Sequence, residues 1–575
     1  MTSPEWVDCG DGVRLERGVR ARMRDGVELV SDHYYPPHPD SNFTPHPTLL
    51  MRQPYGRDIA STVVYAHPAW FARHGYNVVI QDVRGRGDSG GEFYPFRNEG
   101  RDGADTIAWL RARPESNGRV GMYGFSYQGM TQFLAAAEQS EGLQCIAPGM
   151  AACDLYHGWF YQNGALRLAS TLGWGLQMLK EDARRKKLRE ASDRLEQAWA
   201  NLSSQTSVLP IRSHPALHGE GLPTYVLDWL DHDTPGEYWA ALDVSAWLDK
   251  INVPALHVSG WYDTFLRGTI DGYLSLCRYA GSEFAREHQY LLAGPWVHIP
   301  WGDRVGTADF GREALVDTDT ILLRWFDHWL KDSGAFEGKA RVRHFVMGEN
   351  TWSEADAFPT EANHALYLHS NGRANSRKGN GILSADKPEA DEPPDIFVHD
   401  PEVPVIAPGG AAAASGQFDQ AALELGNNLL VYTTEPLENP LRVFGIPRVI
   451  LYCSTSVGSA DFTAKLVRVR PSGAAEFICM GVSRSSLQFA ESSYAADKIQ
   501  LWEFSLEPTS CRFAAGESIR LEIASSAFPL LDRNPGGEVP SCRATSWDWR
   551  RSTQTVWHGR VCPSALYLPV SGEDQ

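Results

Sequence analysis

No stretch of the 575-residue chain approaches the roughly 18 uninterrupted apolar residues of a membrane span. Its start, MTSPEWVDCGDGVRLERGVRARMRDG, has neither an apolar h-region nor a small-residue cleavage site. Neither a bilayer nor an export route is expected, and a cytoplasmic location is. Closely spaced cysteines are also missing. Cys9, Cys145, Cys153, Cys277, Cys453, Cys479, Cys511, Cys542 and Cys562 are scattered and odd in number, which offers no metal knuckle and no disulfide framework. They are expected to be mostly buried thiols of a reducing compartment, where the sequons at Asn42 and Asn201 carry no meaning. Basic charge is in deficit: 53 Lys and Arg face 71 Asp and Glu, for a formal charge of −18. That balance opposes approach to phosphate backbones and anionic membranes, so neither is an expected partner. Acidity by itself names no substrate.

What is present suits a large globular protein. Apolar residues make up 43% of the chain and charged residues 22%, with 19 tryptophans to anchor cores, and the length implies two or three folding units. Thr48–Met51, Tyr76–Ile80 and Val120–Tyr123 read as buried strands interleaved with a helix over Asp105–Arg111, the pattern of a mostly parallel α/β sheet. Helix formers with few breakers then fill Leu166–Leu202, densely charged over Lys180–Glu190, as in an inserted helical unit with a solvated face. Strand character resumes at Val253–Val258 and Gln289–Ala293, followed by a helix over Ile321–Leu330. Beyond residue 350, Ser370–Pro394 reads as a connector and Gly409–Gly416 as a surface connection. Leu429–Thr433, Arg448–Cys453, Phe462–Arg470, Glu476–Val482, Ile499–Phe504 and Ser518–Ala524 are short strand-like runs between turns, which predicts an antiparallel β-sandwich or jelly roll. The expected units are an α/β domain over 1–145 and 245–349, a helical cap over 146–244, and a β-sandwich over 350–575.

Two segments frame a serine with glycines. Gly87-Asp88-Ser89-Gly90-Gly91 fits G-x-S-x-G and the GDSGG string of trypsin-like proteases, whereas Gly124-Phe125-Ser126-Tyr127-Gln128-Gly129 puts its second glycine one place late. A nucleophile elbow needs a strand before the serine and a helix directly after it, because the strained turn between them lifts the hydroxyl at the sheet edge. Ser126 follows Val120–Tyr123 and precedes the helix-forming run Met130–Ala137. Ser89 is followed by Gly90, Gly91 and Tyr94-Pro95, which cannot start a helix, so its segment reads as a Gly-rich loop.

A serine hydroxyl is a poor nucleophile until a base takes its proton, so a carboxylate and a histidine are expected after it, in the chain order of α/β-hydrolases. Asp263 follows the strand Val253–Val258, and His298 follows Gln289–Ala293, each at a strand's carboxyl end. The backbone N–H of Tyr127 is placed to donate to an oxyanion. The HGGG string that supplies a second donor in many esterases is absent, and Tyr55, in the loop after Leu49–Met51, is a candidate in its place. Phe265, Trp296, Trp159 and Phe160 are candidate walls of an apolar acyl pocket, with core packing as the alternative for each.

These segments resemble the cocaine esterase-like (CocE/NonD) hydrolases, relatives of the Xaa-Pro dipeptidyl-peptidases and α-amino acid ester hydrolases. The resemblance runs through Met23-Arg24-Asp25-Gly26-Val27, Pro54-Tyr55, Gln81-Asp82-Val83-Arg84-Gly85, the Ser126 segment with its late glycine, Gly260-Trp261-Tyr262-Asp263 and Gly294-Pro295-Trp296-Val297-His298. It continues in Phe345-Val346-Met347-Gly348, Tyr367-Leu368-His369-Ser370 and Phe528-Pro529-Leu530-Leu531-Asp532-Arg533-Asn534. It implies an α/β-hydrolase domain with an inserted helical cap plus a jelly-roll domain, with the site where the three meet. It further implies Ser126 as nucleophile, His298 as base, Asp263 as its orienting acid, and Tyr55 with Tyr127 as oxyanion hole. The implied reaction is cleavage of a small-molecule ester or amide through an acyl-enzyme, with no metal or organic cofactor, and the family admits a homodimer. Thr264 stands where such sequences often have a small residue, and neither the ammonium-binding carboxylates of amino acid ester hydrolases nor the amine anchor of dipeptidyl-peptidases is identifiable. An amidase, acylase or Xaa-Pro dipeptidyl-peptidase could use the same triad, and a non-catalytic binding protein on this fold is the reading from another class.

Overall fold

The computed structural model describes residues 5–37, 44–58, 62–336, 339–409, 415–489 and 494–570. Eleven strands form the first sheet: β1 (Glu5–Asp8), β2 (Arg14–Arg22), β3 (Glu28–Tyr35), β4 (His46–Gln53), β5 (Asn77–Asp82), β6 (Ser116–Phe125), β7 (Leu143–Gly149), β8 (Ala255–Tyr262), β9 (Gln289–Val297), β10 (Val342–Val346) and β11 (Thr351–Ala355). Their spatial order is β1-β2-β3-β5-β4-β6-β7-β8-β9-β10-β11. From β5 to β10 all pairings are parallel, and the strands outside that run are antiparallel. Helices cover both faces of the parallel run, so its strands are buried on both sides and read as unbroken apolar stretches. These helices include α1 (Glu99–Arg111) and α2 (Tyr127–Ala137).

After β7 the chain leaves the sheet and returns only at β8. The intervening residues carry α3 (Leu168–Arg185) and α4 (Arg189–Ala200), packed on a core that includes Phe160, Trp229 and Trp239. Two further helices, α5 (Leu266–Tyr279) and α6 (Thr318–Lys331), return to the sheet faces. Residues 364–568 form a second eleven-stranded sheet, antiparallel except where Gly381–Ser384 runs parallel to Leu430–Thr433. That short strand lies inside the segment expected to be a bare connector. Of the Ala-rich stretch 409–416, residues 410–414 lie outside the described residues.

Two expected boundaries shift. β7 continues the first sheet to Gly149, beyond the expected end at 145. β11 still pairs with β10, so the change of sheet falls after Ala355 rather than at 350. Both strands are short, and neither carries the long apolar run that marks its neighbours. All nine cysteines are free, and six are buried. The start of α3 is fastened to the second sheet's side of the molecule. Arg167 pairs with Glu507 at 2.9 Å, and Leu166 N–H donates to Asp532 at 2.9 Å.

Candidate active site

Ser126 stands between β6 and α2 with φ 62° and ψ −129°, a left-handed conformation that costs a non-glycine residue free energy of the kind stored at functional turns. Its N–H donates to Gly149 O at 2.8 Å, and its own carbonyl accepts the first turn of α2 from Gly129 and Met130. The flanking glycines are steric requirements. A Cβ at Gly124 would lie 2.5 Å from Gln128 Cβ, and one at Gly129 would lie 2.7 Å from Ala151 Cβ and 2.9 Å from Gly149 O. The late glycine is therefore the one that lets α2 close on the end of β7. The residue before it, Gln128, accepts at Oε1 from Phe125 N–H at 3.2 Å and ties the elbow to its strand.

Asp263 and His298 follow β8 and β9, adjacent parallel strands, so their loops emerge side by side. His298 Nδ1 donates to Asp263 Oδ2 at 2.5 Å, and Asp263 Oδ1 accepts from Phe265 N–H at 2.8 Å. The carboxylate side chain is fully buried while the imidazole remains partly open. Two aromatic rings neighbour the His298 imidazole, Phe125 at 5.4 Å and Phe265 at 5.2 Å.

Tyr55 follows β4, and its Oη accepts from Trp174 Nε1 at 3.3 Å and is hydrogen-bonded to the Ser126 side chain. Burial pushes its pKa up to about 12, with those two hydrogen bonds pulling the other way, so the phenol is protonated at neutral pH. The Tyr127 side chain points into the core. It donates to Glu99 Oε1 at 2.8 Å, accepts from Phe96 N–H at 3.0 Å and stacks on Phe96 at 4.8 Å. The Tyr127 amide is the first of α2 and has no intrahelical acceptor. Arg52 at the end of β4 pairs with Glu99 at 3.0 Å, both side chains buried, which locks the strand leading to Tyr55 against the start of α1.

A cavity of about 580 Å³ opens over these groups. Tyr55, Ser126 and His298 form its floor, and Trp159, Phe265, Trp174 and Trp199 are among its walls. Trp159 and Phe265 stack at 3.8 Å. Among the described residues no Asp, Glu, Lys or Arg lines it; the polar ones include Ser170, Gln177, Thr264 and Ser415.

The sequence profile of the X-Pro dipeptidyl-peptidase (S15 family) matches residues 25–300, and that of the X-Pro dipeptidyl-peptidase C-terminal non-catalytic domain matches residues 334–566. The cocaine esterase of Rhodococcus sp. (strain MB1 Bresler) is 33% identical over 96% of this chain and 98% of its own. This chain belongs to the cocaine esterase-like (CocE/NonD) family of serine hydrolases. Among solved structures, an α-amino acid ester hydrolase is 25% identical with a TM-score of 0.79 over 99% of each chain. An aminopeptidase from the marine sediment archaeon Thaumarchaeota archaeon is 25% identical with a TM-score of 0.77 over 96% of each chain. A CocE/NonD family hydrolase from Staphylococcus aureus shares the fold at 17% identity and a TM-score of 0.68, over 97% of this chain and 94% of its own.

In this CocE/NonD chain the structure brings together Ser126, His298, Tyr55, Trp159 and Phe265 around one cavity, with Asp263 directly behind His298. Two expected wall residues lie elsewhere. Trp296 is fully buried. Its ring folds back over Gly294, where a Cβ would meet it at 2.4 Å, stacks on Trp301 at 5.6 Å and donates to Ala314 O at 2.9 Å. Phe160 is also fully buried, packed on Trp229 at 4.5 Å and Trp239 at 5.2 Å. Both are core residues. Wall residues that the sequence did not single out include Trp174 and Gln177 on α3, Trp199 on α4 and Leu202 just beyond it. Thr264, noted in the sequence only as a departure from its relatives, also lines the cavity, and its Oγ1 is buried with no hydrogen-bond partner among the described residues.

Proposed function

We propose that this chain hydrolyses esters of neutral, largely apolar acyl groups through an acyl-enzyme on Ser126. One observation carries the reading: a serine held at positive φ on a strand-to-helix turn shares a cavity with a histidine whose far nitrogen is fixed by a buried carboxylate. With Nδ1–H engaged by Asp263, the neutral ring presents Nε2 as a base. The Ser126 Oγ–H proton passes to Nε2 as Oγ bonds to the carbonyl carbon. The resulting oxyanion accepts from the Tyr55 O–H and the Tyr127 N–H, donors fixed in advance of the reaction. When the tetrahedral intermediate collapses, the bond to the leaving oxygen breaks and the imidazolium supplies that oxygen's proton. Water then gives a proton to Nε2, attacks the acyl carbon and releases the acid, and Ser126 recovers its hydrogen.

The helical segment between β7 and β8 is read as a cap, because α3 and the end of α4 line the cavity, and the second sheet as a jelly roll. The cavity lining supports a neutral acyl group: a buried carboxylate would be needed to hold an ammonium group away from water, and none lines the cavity among the described residues. The S15 match and the aminopeptidase-like fold keep a peptidase as the second reading. Labelling by a fluorophosphonate probe, lost in Ser126→Ala, tests the nucleophile. Turnover of p-nitrophenyl esters well above that of aminoacyl-proline anilides is expected; the reverse preference would transfer the assignment to the peptidase.

A further inference from the structure

Trp174 is both a wall of the cavity and a hydrogen-bond donor to the side chain read here as the oxyanion donor. An indole N–H can only donate. By occupying a lone pair of Tyr55 Oη, it leaves the phenol's own proton for the Ser126 side, where a substrate carbonyl oxygen would arrive. A hydroxyl that accepts a hydrogen bond also donates more strongly, since hydrogen bonds in series polarise one another where water is excluded.

The indole is held firmly. It stacks on Trp229 at 5.2 Å with an interplanar angle of 8° and is flanked by Phe96 and Trp159, each at 5.8 Å. The helix that carries it is braced at both ends. Arg167, just before α3, pairs with Glu507. Near its carboxyl end, Asp182 accepts two bonds of 3.0 Å from the fully buried Arg86 and one of 2.8 Å from Tyr225. Arg185 donates to the carbonyls of Gly87 and Ser89. The glycine-rich loop around Ser89 thus serves as a clamp on the helix that presents Trp174.

We propose that Trp174 is a positioning residue for acyl transfer, its indole N–H orienting and polarising the Tyr55 hydroxyl toward the developing oxyanion. The proposal rests on the assignment of Tyr55 to the oxyanion hole. Burial holds the phenol's pKa well above neutral, so the hydroxyl keeps the proton it would donate.

The test uses the full chain with p-nitrophenyl acetate, whose small acyl group does not require an aromatic wall. Trp174→Phe removes the donor. Replacement of Trp174 by β-(3-benzothienyl)alanine, with sulfur where the N–H was, keeps the shape and decides the matter if the phenylalanine variant folds poorly. Both are expected to lower kcat/KM by roughly 3- to 10-fold, the net worth of one hydrogen bond, with the loss in kcat and KM unchanged for the isostere. In a Tyr55→Phe background the same replacements should cost less than about twofold, since a residue acting through Tyr55 has nothing left to act on. An undiminished rate in the isostere, or an equal loss in the Tyr55→Phe background, would overturn the proposal. Fluorophosphonate labelling of the unsubstituted chain is run alongside. Absent labelling removes the hydrolase reading and this inference with it, whereas intact labelling with an undiminished isostere removes this inference alone.

Discussion

Two serines in this molecule sit in glycine-framed turns after parallel strands, and their surroundings could hardly differ more. Ser89 is buried, and its hydroxyl is used up: it donates to Asp82 O at 2.7 Å and accepts from Val30 N–H at 2.8 Å. Ser126 is held at positive φ at a helix start and opens on a cavity that also holds His298. A third set, in the second sheet, has the right residue types and the wrong setting. Ser370 donates to Asp395 at 2.6 Å and lies 3.2 Å from His558 Nε2, which is itself 2.9 Å from Asp395. Serine, histidine and aspartate are together there, but all are buried, and the second ring nitrogen of His558 faces Glu392 at 2.9 Å. On the proposed reading, what separates a nucleophile from a strut is an open face and a base with a free nitrogen.

The largest expected effect falls on the open set. Asp263→Asn should lower kcat by about 10⁴-fold, because the ring loses the acceptor that fixes its tautomer; steady-state kinetics on a p-nitrophenyl ester reads it. Tyr55→Phe should cost on the order of 10²- to 10³-fold in kcat, and an unchanged rate would take the phenol out of the oxyanion hole. Ser89→Ala should leave kcat within twofold and lower the unfolding free energy by about 1–3 kcal/mol, the cost of a buried amide left without its acceptor. A denaturant midpoint measured beside the rate separates those outcomes.

The smallest effect concerns the buried third set. Burial pushes the carboxyls of Asp395 and Glu392 up, but their hydrogen bonds outweigh it: His558, Ser370, the Ala374 amide and Tyr432 at Asp395, and His369, the Ser370 amide and His558 at Glu392. Both end below the ordinary carboxylate range. A lowered native pKa gives stability that is present above the unfolded value, near pH 4, and is lost as pH falls through the native one, where the unfolded chain binds more protons. Asp395→Asn should therefore flatten the acid limb of unfolding free energy against pH and leave the pH profile of kcat unmoved. An acid limb as steep as that of the unsubstituted chain would contradict this.

How far the site could be read from sequence follows from which residues sit on regular elements. Ser126, Asp263 and His298 lie at carboxyl ends of strands whose apolar runs are conspicuous, so strand pattern and chain order located them. The elbow was separable from Ser89 because Gly90 and Gly91 cannot open a helix. Trp174, Gln177 and Trp199 were not legible, since they lie on helices whose place over the sheet depends on long-range clamps such as Arg86–Asp182 and Arg167–Glu507. Trp296 was misplaced for a related reason. Sequence proximity to His298 suggested the cavity, whereas the space left by Gly294 draws the ring back into the core. Phe160 lies next to Trp159 in sequence, yet it packs on Trp229 and Trp239 rather than over the cavity.

The central claim is that one serine, set apart by its surroundings, carries the acyl group. Acid-quenching the protein during turnover of a p-nitrophenyl ester and locating the added acyl mass by peptide mass spectrometry tests it most directly. The account predicts the acyl mass on the peptide bearing Ser126, with the peptides bearing Ser89 and Ser370 unmodified. An acyl group on either of those serines, or turnover undiminished in Ser126→Ala, would contradict it.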